Sequence, residues 1–413
     1  MFVSNKSILM VPLILFISFW NLKPISIIPL NYIILFLFLY YLIIYLFFYK
    51  KKFTIPLIYT DFFNIKIFIF FLNLIIYSMC ITVFTGNDSY IIFIKILILM
   101  FLPFSFILVY FNNYKFNILK YLKYILILSI LLHIFFSFVL GHYDNHIGKI
   151  LVRYKDIGYF SSNELSLYML FTITIIGWIY FYFYKKNKFM LFVMTFLPLL
   201  HFSKSHIVIY LFSILVSYLL IKRKIVYMII GIGSLYISSV LLNSYYDILQ
   251  KEVSSQQIQK VLLANKLIYN SDIDLYSFIT KVGDGLRSKI IETYSSKLED
   301  SRFIGFGDKA KDIVGDGHDY HNMFFFFHIQ YGLISVIGFY GLLLYFLYLG
   351  IKKFKYLNFI IVFFIFYIIL RSMIITIDPY RLILYLLFLT LIEANLQYYK
   401  GKGSNNAKNN YIT

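Results

Sequence analysis

The sequence predicts an all-α polytopic integral membrane protein with about twelve transmembrane helices and one large, partly helical outer loop between spans 9 and 10. Three observations predict this. The 413 residues are 61% hydrophobic and only 14% charged, more apolar surface than a soluble domain of that length hides. Apolar runs long enough to cross a bilayer recur along most of the chain. The polar intervals between them alternate between cation-rich and cation-poor.

By apolar length the spans fall at 8–22, 25–49, 65–86, 90–111, 119–141, 164–184, 188–202, 206–221, 224–242, 323–349, 355–377 and 380–398. The seventh and eighth are short, open to a re-entrant or tilted reading. The cation-rich intervals hold Lys50-Lys51-Lys52, then Lys115, Lys120 and Lys123, then Lys185, Lys186 and Lys188. Lys222-Arg223-Lys224, then Lys352, Lys353 and Lys355, and finally Lys400, Lys402 and Lys408 continue the series. The positive-inside rule makes this set cytoplasmic, with both termini, and an even number of spans agrees. Residues 243–322 then lie outside, as does the second-longest loop, 141–163. The expected organisation is spans 1–9 in 1–242, the outer loop in 243–322, spans 10–12 in 323–398, and a polar cytoplasmic tail in 399–413.

The net charge is +19, but topology places it, so no nucleic-acid partner is expected. Ile, Phe, Tyr, Lys and Asn dominate, the mark of an AT-rich gene; the 22% aromatic content is therefore a poor binding signal. The single cysteine, Cys80, lies in an apolar run and is expected to pack there. Residues 8–20 lack a small-residue cleavage site and another span follows at once, so no cleavable signal peptide is expected.

Four outer places carry unusual polar chemistry. The first runs from Arg153 through Lys155, Asp156, Gly158 and Phe160 to Asn163 and Glu164. The second is the turn Ser203-Lys204-Ser205-His206, and the third is Gly285-Leu286-Arg287-Ser288-Lys289. The fourth extends from Gly305-Phe306-Gly307 through His318-Asp319-Tyr320-His321 to Asn322. Leu286, Ile290, Tyr294 and Leu298 recur at helical spacing, with Arg287 on the face of Ile291 and Tyr294. Such a helix suits a cap over a cavity. Gly305-x-Gly307 and Gly315-x-Gly317 mark turns; no Lys-Ser/Thr follows as in a nucleotide loop.

A cation at the outer end of a span serves equally as an anchor. Arg153, Lys204, Arg287, Arg371 and Arg381 together on the cation-poor side favour an anion site, a diphosphate on a lipid carrier being the natural anion at that depth. His318 and His321, spaced i, i+3 near Asp316, lack a full metal-ligand set, and no metal is expected. For His318 a solvated loop histidine is the competing reading. His321 at the membrane boundary suits general-base catalysis, since neutral imidazole takes a hydroxyl proton near neutral pH. His133, His201 and His328 read as packing or cavity residues, and Lys95 and Glu393 as span-end residues that snorkel.

These four places, in this order, resemble the O-antigen polymerase and O-antigen ligase superfamily. Gly158-x-Phe160-x-x-Asn163-x-Leu165 looks like that family's Gly-x-Phe-x-x-Asn lead-in to a middle span. Ser203-Lys204-Ser205 looks like its Ser-Arg-x turn, with Lys in place of Arg, which keeps the charge and loses the bidentate fork. Gly285-Leu286-Arg287, Gly305-Phe306-Gly307, His321-Asn322 and Gly332-Leu333 follow the order of its large periplasmic loop and the next span. The similarity covers residues 150–345.

The resemblance implies a metal-independent, cofactor-free, inverting glycosyltransferase of the bacterial inner membrane, its site facing the periplasm. The donor is a glycan on undecaprenyl diphosphate. The acceptor is a lipid-linked repeat unit in the polymerase, the favoured reading, and lipid A-core in the ligase. By this similarity Arg287 and Lys204, with Arg153, bind diphosphate, and His321 activates the acceptor. Asn163, Asn322 and His318 complete the expected substrate-binding set. Lipid-linked oligosaccharide and membrane lipid are the expected partners, with a chain-length regulator as a further one. A transporter or flippase of lipid-linked sugars is the alternative from another class. It calls for charges along a central path and internal repeats, and the mid-span positions are almost free of charge, with no repeat visible.

Overall fold

A computed structural model describes residues 10–18, 62–84, 90–113, 115, 117–134, 143–144, 153–154, 169–201, 204–224, isolated positions between 227 and 245, 303–307, 322–373 and 379–405. The expected second span and nearly all of the expected outer loop lie outside these residues.

The described chain is helical, apart from one ladder of two-residue strands. In order come α1 (Met10–Ser18), α2 (Ile65–Phe84), α3 (Tyr90–Phe106, continued by a π turn at Ile107–Phe111) and α4 (Leu119–Ile134). The expected sixth span is a composite: a π turn at Met169–Ile175, α5 (Ile176–Ile179) and a second π turn at Tyr180–Lys185. Then follow α6 (Lys188–Phe196) with a 3-10 turn at Leu197–His201, and α7 (Lys204–Ile221). The last group is α8 (Met323–Tyr331), α9 (Leu333–Lys352), α10 (Asn358–Ser372) and α11 (Pro379–Asn405). The ladder joins β1 (Tyr143–Asp144) to β2 (Arg153–Tyr154), antiparallel, with Asp144 opposite Arg153 in register. It lies inside the loop at 141–163 and leaves the described chain all-helical in class.

Among the described residues, three helices are long and apolar enough to cross a membrane: Ile65–Phe84, Leu333–Lys352 and Arg381–Lys400. Their burial ranks them. The window in α11 is 83% buried, that in α9 56% and that in α2 33%, so α11 is central and α2 peripheral. A helix apolar all round belongs in a core, and every residue of α11 from Leu382 to Leu396 is buried. Outward on α2, Ile67, Phe70, Tyr77 and Phe84 remain exposed, as side chains facing hydrocarbon would. Aromatic pairs fill the centre: Phe171 packs 4.9 Å from Phe364 and 5.6 Å from Tyr385 between ring centroids. Cys80 is partly buried and packs against this core.

Neighbouring helices run antiparallel. Asn64 N–H donates to the Tyr345 hydroxyl at 2.6 Å, and Ser78 at the other end of α2 donates to the Tyr331 carbonyl before α9 begins. Tyr340 near the start of α9 meets Ser372 at the end of α10, 2.9 Å apart. His206 at the start of α7 meets Tyr367 near the end of α10. The bundle thus has two ends. One gathers the basic turns after the sixth span, α7 and α9. The other gathers the start of α7, the end of α10 and the α8–α9 junction.

The expected tenth span, 323–349, is not one helix. Gly332 separates α8 from α9 with φ 86° and ψ 171°, a conformation that only glycine adopts readily. The rings of Phe327 and Phe339 lie 4.7 Å apart, whereas a straight helix sets residues twelve apart about 18 Å from one another. The chain therefore bends sharply, and α8 lies across the first turns of α9. Ser335 holds the corner, its Oγ within 2.9 Å of the Phe327 carbonyl and 2.7 Å of the Gly332 carbonyl. The Gly305-Phe306-Gly307 segment docks here. Phe306 N–H donates to the Ile329 carbonyl at 2.8 Å, and a Cβ on Gly305 would overlap backbone atoms of Gln330 and Tyr331. One on Gly332 would overlap the Phe303 carbonyl. Gly332→Ala is expected to cost about 2 kcal/mol from the dihedral alone, read as a lower melting temperature in detergent. Unchanged melting would show that the corner relaxes freely.

Glu393, expected to snorkel, does not. Its side chain is fully buried, and its two oxygens accept the backbone N–H groups of Lys355, Tyr356 and Leu357 at 2.8–3.2 Å. Gln397 Nε2 adds a bond at 2.8 Å. A carboxylate so far from water is stable there because donors replace its hydration. It fastens the turn before α10 to α11.

Candidate functional site

The end of the bundle away from the basic turns holds a buried polar cluster. Its centre is Arg371 in the last turn of α10, which is wholly buried and engaged within the protein. A cation in the last turn of a helix is favoured by the helix dipole. Complete burial in an apolar bundle is nonetheless expensive for a guanidinium. One turn earlier on the same face, Tyr367 is also wholly buried. Its hydroxyl lies 2.6 Å from His206 Nδ1, and the ring centroids are 5.6 Å apart, nearly perpendicular at 77°. Arg371 acts electrostatically on both His206 and Tyr367. His206 is wholly buried on the second residue after Lys204, so α7 enters the bundle at this cluster.

The next residues along α10 extend the cluster. Ser372 Oγ pairs with the Tyr340 hydroxyl at 2.9 Å and donates to the Ile369 carbonyl at 2.7 Å. The Met373 carbonyl accepts from Asn322 Nδ2 at 3.3 Å. Asn322 is in addition the N-cap of α8: its Oδ1 accepts from the N–H groups of Phe324 at 2.8 Å and Phe325 at 3.3 Å. An Asn before an apolar run is a standard capping signal, so the side chain expected to bind substrate also ends the outer loop and starts α8. Behind it, His328 stacks on Phe324 with centroids 5.8 Å apart, a packing role as expected.

Of the residues expected to form the site, His321, Arg287, Asn163 and His318 lie outside the described residues. Arg153 is described as a strand residue opposite Asp144, and Lys204 as the first residue of α7. The fold brings Lys204, Asn322 and Arg371 to one end of the bundle, with His321 next to Asn322 in the chain. Lys204 begins a helix, where the free N–H groups and the cation both favour an anion. The His206–Tyr367 pair is not among the residues expected from the Ser203-Lys204-Ser205-His206 turn, where the lysine carries the expected chemistry. The signal available was the i, i+4 spacing of Tyr367 and Arg371, two polar residues on one face of an apolar helix. Arg381, the other cation expected at this side, is also buried, at the start of α11.

No protein family, curated protein or solved structure matches the chain.

Proposed function

We propose that this protein is an O-antigen polymerase: a periplasm-facing, inverting glycosyltransferase that joins oligosaccharide repeat units carried on undecaprenyl diphosphate. The observation that carries the reading is Arg371, a fully buried cation at the bundle end that also holds Lys204 and Asn322. An anionic group meeting that end exchanges its hydration for fixed cations and N–H donors, as a departing diphosphate requires.

The chemistry follows in one displacement. The acceptor hydroxyl of a lipid-linked repeat approaches the anomeric carbon of the growing glycan, opposite the diphosphate. A new carbon–oxygen bond forms, and the bond from that carbon to the diphosphate oxygen breaks, its electron pair leaving with undecaprenyl diphosphate. The hydroxyl proton passes to His321, the base. Arg287 and Lys204, with Arg153, meet the diphosphate, and the buried charge of Arg371 favours an anion at this end of the bundle. Inversion at the anomeric carbon follows from attack on the opposite face.

The test is elongation of an undecaprenyl-diphosphate-linked repeat by purified protein in vesicles, without nucleotide. A ladder of longer lipid-linked glycans supports the reading. Transfer only to lipid A-core makes the protein a ligase; movement of the lipid-linked sugar between leaflets without elongation makes it a flippase. Loss of activity with EDTA would overturn the metal-free step. In the same assay, folded Arg371→Gln protein is expected to turn over about tenfold to a hundredfold more slowly, short of the loss for a donor in direct contact. Arg371→Lys is expected to keep more activity. Full activity in Arg371→Gln would remove this residue from the site.

A further inference from the structure

At the opposite, basic end of the bundle a groove of about 400 Å³ opens between the sixth span, α6, α7 and α10. Trp178, Phe183, Thr195, Ile214, Tyr356 and Phe359 are among its lining residues. It has the size of a ligand pocket and mainly aromatic and aliphatic walls. From Ile214 to the Lys222-Arg223-Lys224 turn is eight residues, so the groove reaches about 12 Å into the bundle. Trp178 spans its wall, the indole N–H donating to Thr195 Oγ1 at 3.1 Å. The outer faces of the same elements remain apolar and exposed: Tyr182, Phe189, Phe192 and Phe196. The groove therefore opens at an apolar, exposed face of the bundle.

Its lip is cationic. Lys400 Nζ lies 4.6 Å from the Phe183 ring centroid and 4.5 Å from that of Tyr356, so one ammonium sits over two of the lining rings. Lys400 is exposed, and Lys186 stands within electrostatic range of it. Lys185 and Lys188, exposed on the same turn, add to the charge. An apolar slot opening at an apolar face beneath a cluster of ammonium groups matches one occupant in particular. That is a membrane lipid with an acyl chain in the slot and an anionic phosphate on the lip. A neutral sterol leaves the cations unmatched, a zwitterionic lipid brings its own cation beside its phosphate, and a soluble anion leaves the slot unfilled.

We infer that this groove binds an anionic phospholipid, acyl chain against Trp178 and phosphate at Lys400 and Lys186. The site lies at the end of the bundle away from Arg371 and is independent of the proposed glycosyl transfer.

Trp178 is itself the probe. The chain has two tryptophans, so Trp20→Phe leaves Trp178 as the sole emitter. The full-length protein, reconstituted in phosphatidylcholine vesicles, is titrated with phosphatidylglycerol brominated on its acyl chains, and separately with brominated phosphatidylcholine. Bromine quenches indole only at close range, so lipids packed non-specifically quench equally for both head groups. Binding at the groove is expected to favour phosphatidylglycerol by about fivefold for each cation near the phosphate, about thirtyfold for Lys400 and Lys186 together. Lys400→Glu is expected to bring that preference to about one, and Lys400→Arg to retain it. Equal quenching by the two lipids in the otherwise unaltered protein would overturn the assignment, as would a preference that survives Lys400→Glu. Loss of the preference in Lys400→Arg as well would also overturn it.

Discussion

Glu393→Ala is expected to destabilise the folded protein by about 3 kcal/mol, the largest effect anticipated for any substitution remote from the proposed chemistry. The carboxylate is the shared acceptor for the N–H groups of Lys355, Tyr356 and Leu357. Leu357 is fully buried, Tyr356 half-buried and Lys355 exposed. Water therefore restores the partner of the first N–H in the turn and not that of the last. A buried N–H left without an acceptor costs about 1–3 kcal/mol. Gln397 loses its bond to the same group, and Lys400 loses the nearby negative charge. Glu393→Gln keeps the volume and one carbonyl oxygen, but its amide points an N–H at a backbone donor, so an intermediate loss is expected. Equilibrium unfolding by graded denaturing detergent measures both. A loss below about 1 kcal/mol for the alanine variant would mean that the turn before α10 is held by other contacts.

His321→Ala is expected to slow elongation by about a hundredfold to ten-thousandfold with little change in melting temperature, the range contributed by a positioned general base. His321 directly precedes the residue that caps α8 and bonds to the end of α10. The residue that follows it in the chain, Asn322, is thus fixed beside the end of α10. A base also has a signature that a packing residue lacks. The rate of the unaltered protein should rise with pH through the imidazole range, because only the neutral ring accepts the hydroxyl proton. In His321→Ala that rise should vanish while weak activity persists. Undiminished activity in the alanine variant, or an unchanged pH profile, would assign the proton transfer to another group.

How much of this was legible in the sequence depends on how local each feature is. Apolar length found the three described helices that are long and apolar enough to cross, because burial in hydrocarbon is demanded of each residue separately. The basic turns were legible for the same reason, and they now mark one end of the bundle. Gly332 was noticed only as half of a Gly-Leu pair. Its role as a corner depends on Phe303 and Ile304 approaching it, nearly thirty residues earlier in the chain. Glu393 looked like a span-end residue because the donors that claim it lie some 37 residues away. His206 and Tyr367 are 161 residues apart, and nothing in either neighbourhood announces the other. The π turns in the sixth span follow no apolar period and were equally hidden. For the candidate site, residue type pointed to chemistry, and only tertiary contact could show which of those residues share an end.

The corner at Gly332 bears on how a membrane chain is counted. The segment on each side of it is apolar, and a hydropathy scan fuses the two into a single crossing. Only α9 has the length for that task, and α8 spends its nine residues on a change of direction. An apolar run thus records the medium that surrounds a segment and carries no record of its heading. The last residue before such a run need not sit at the membrane boundary. Here that residue, Asn322, is fastened to the Met373 carbonyl at the end of α10, and the chain travels the length of α8 before it turns into α9.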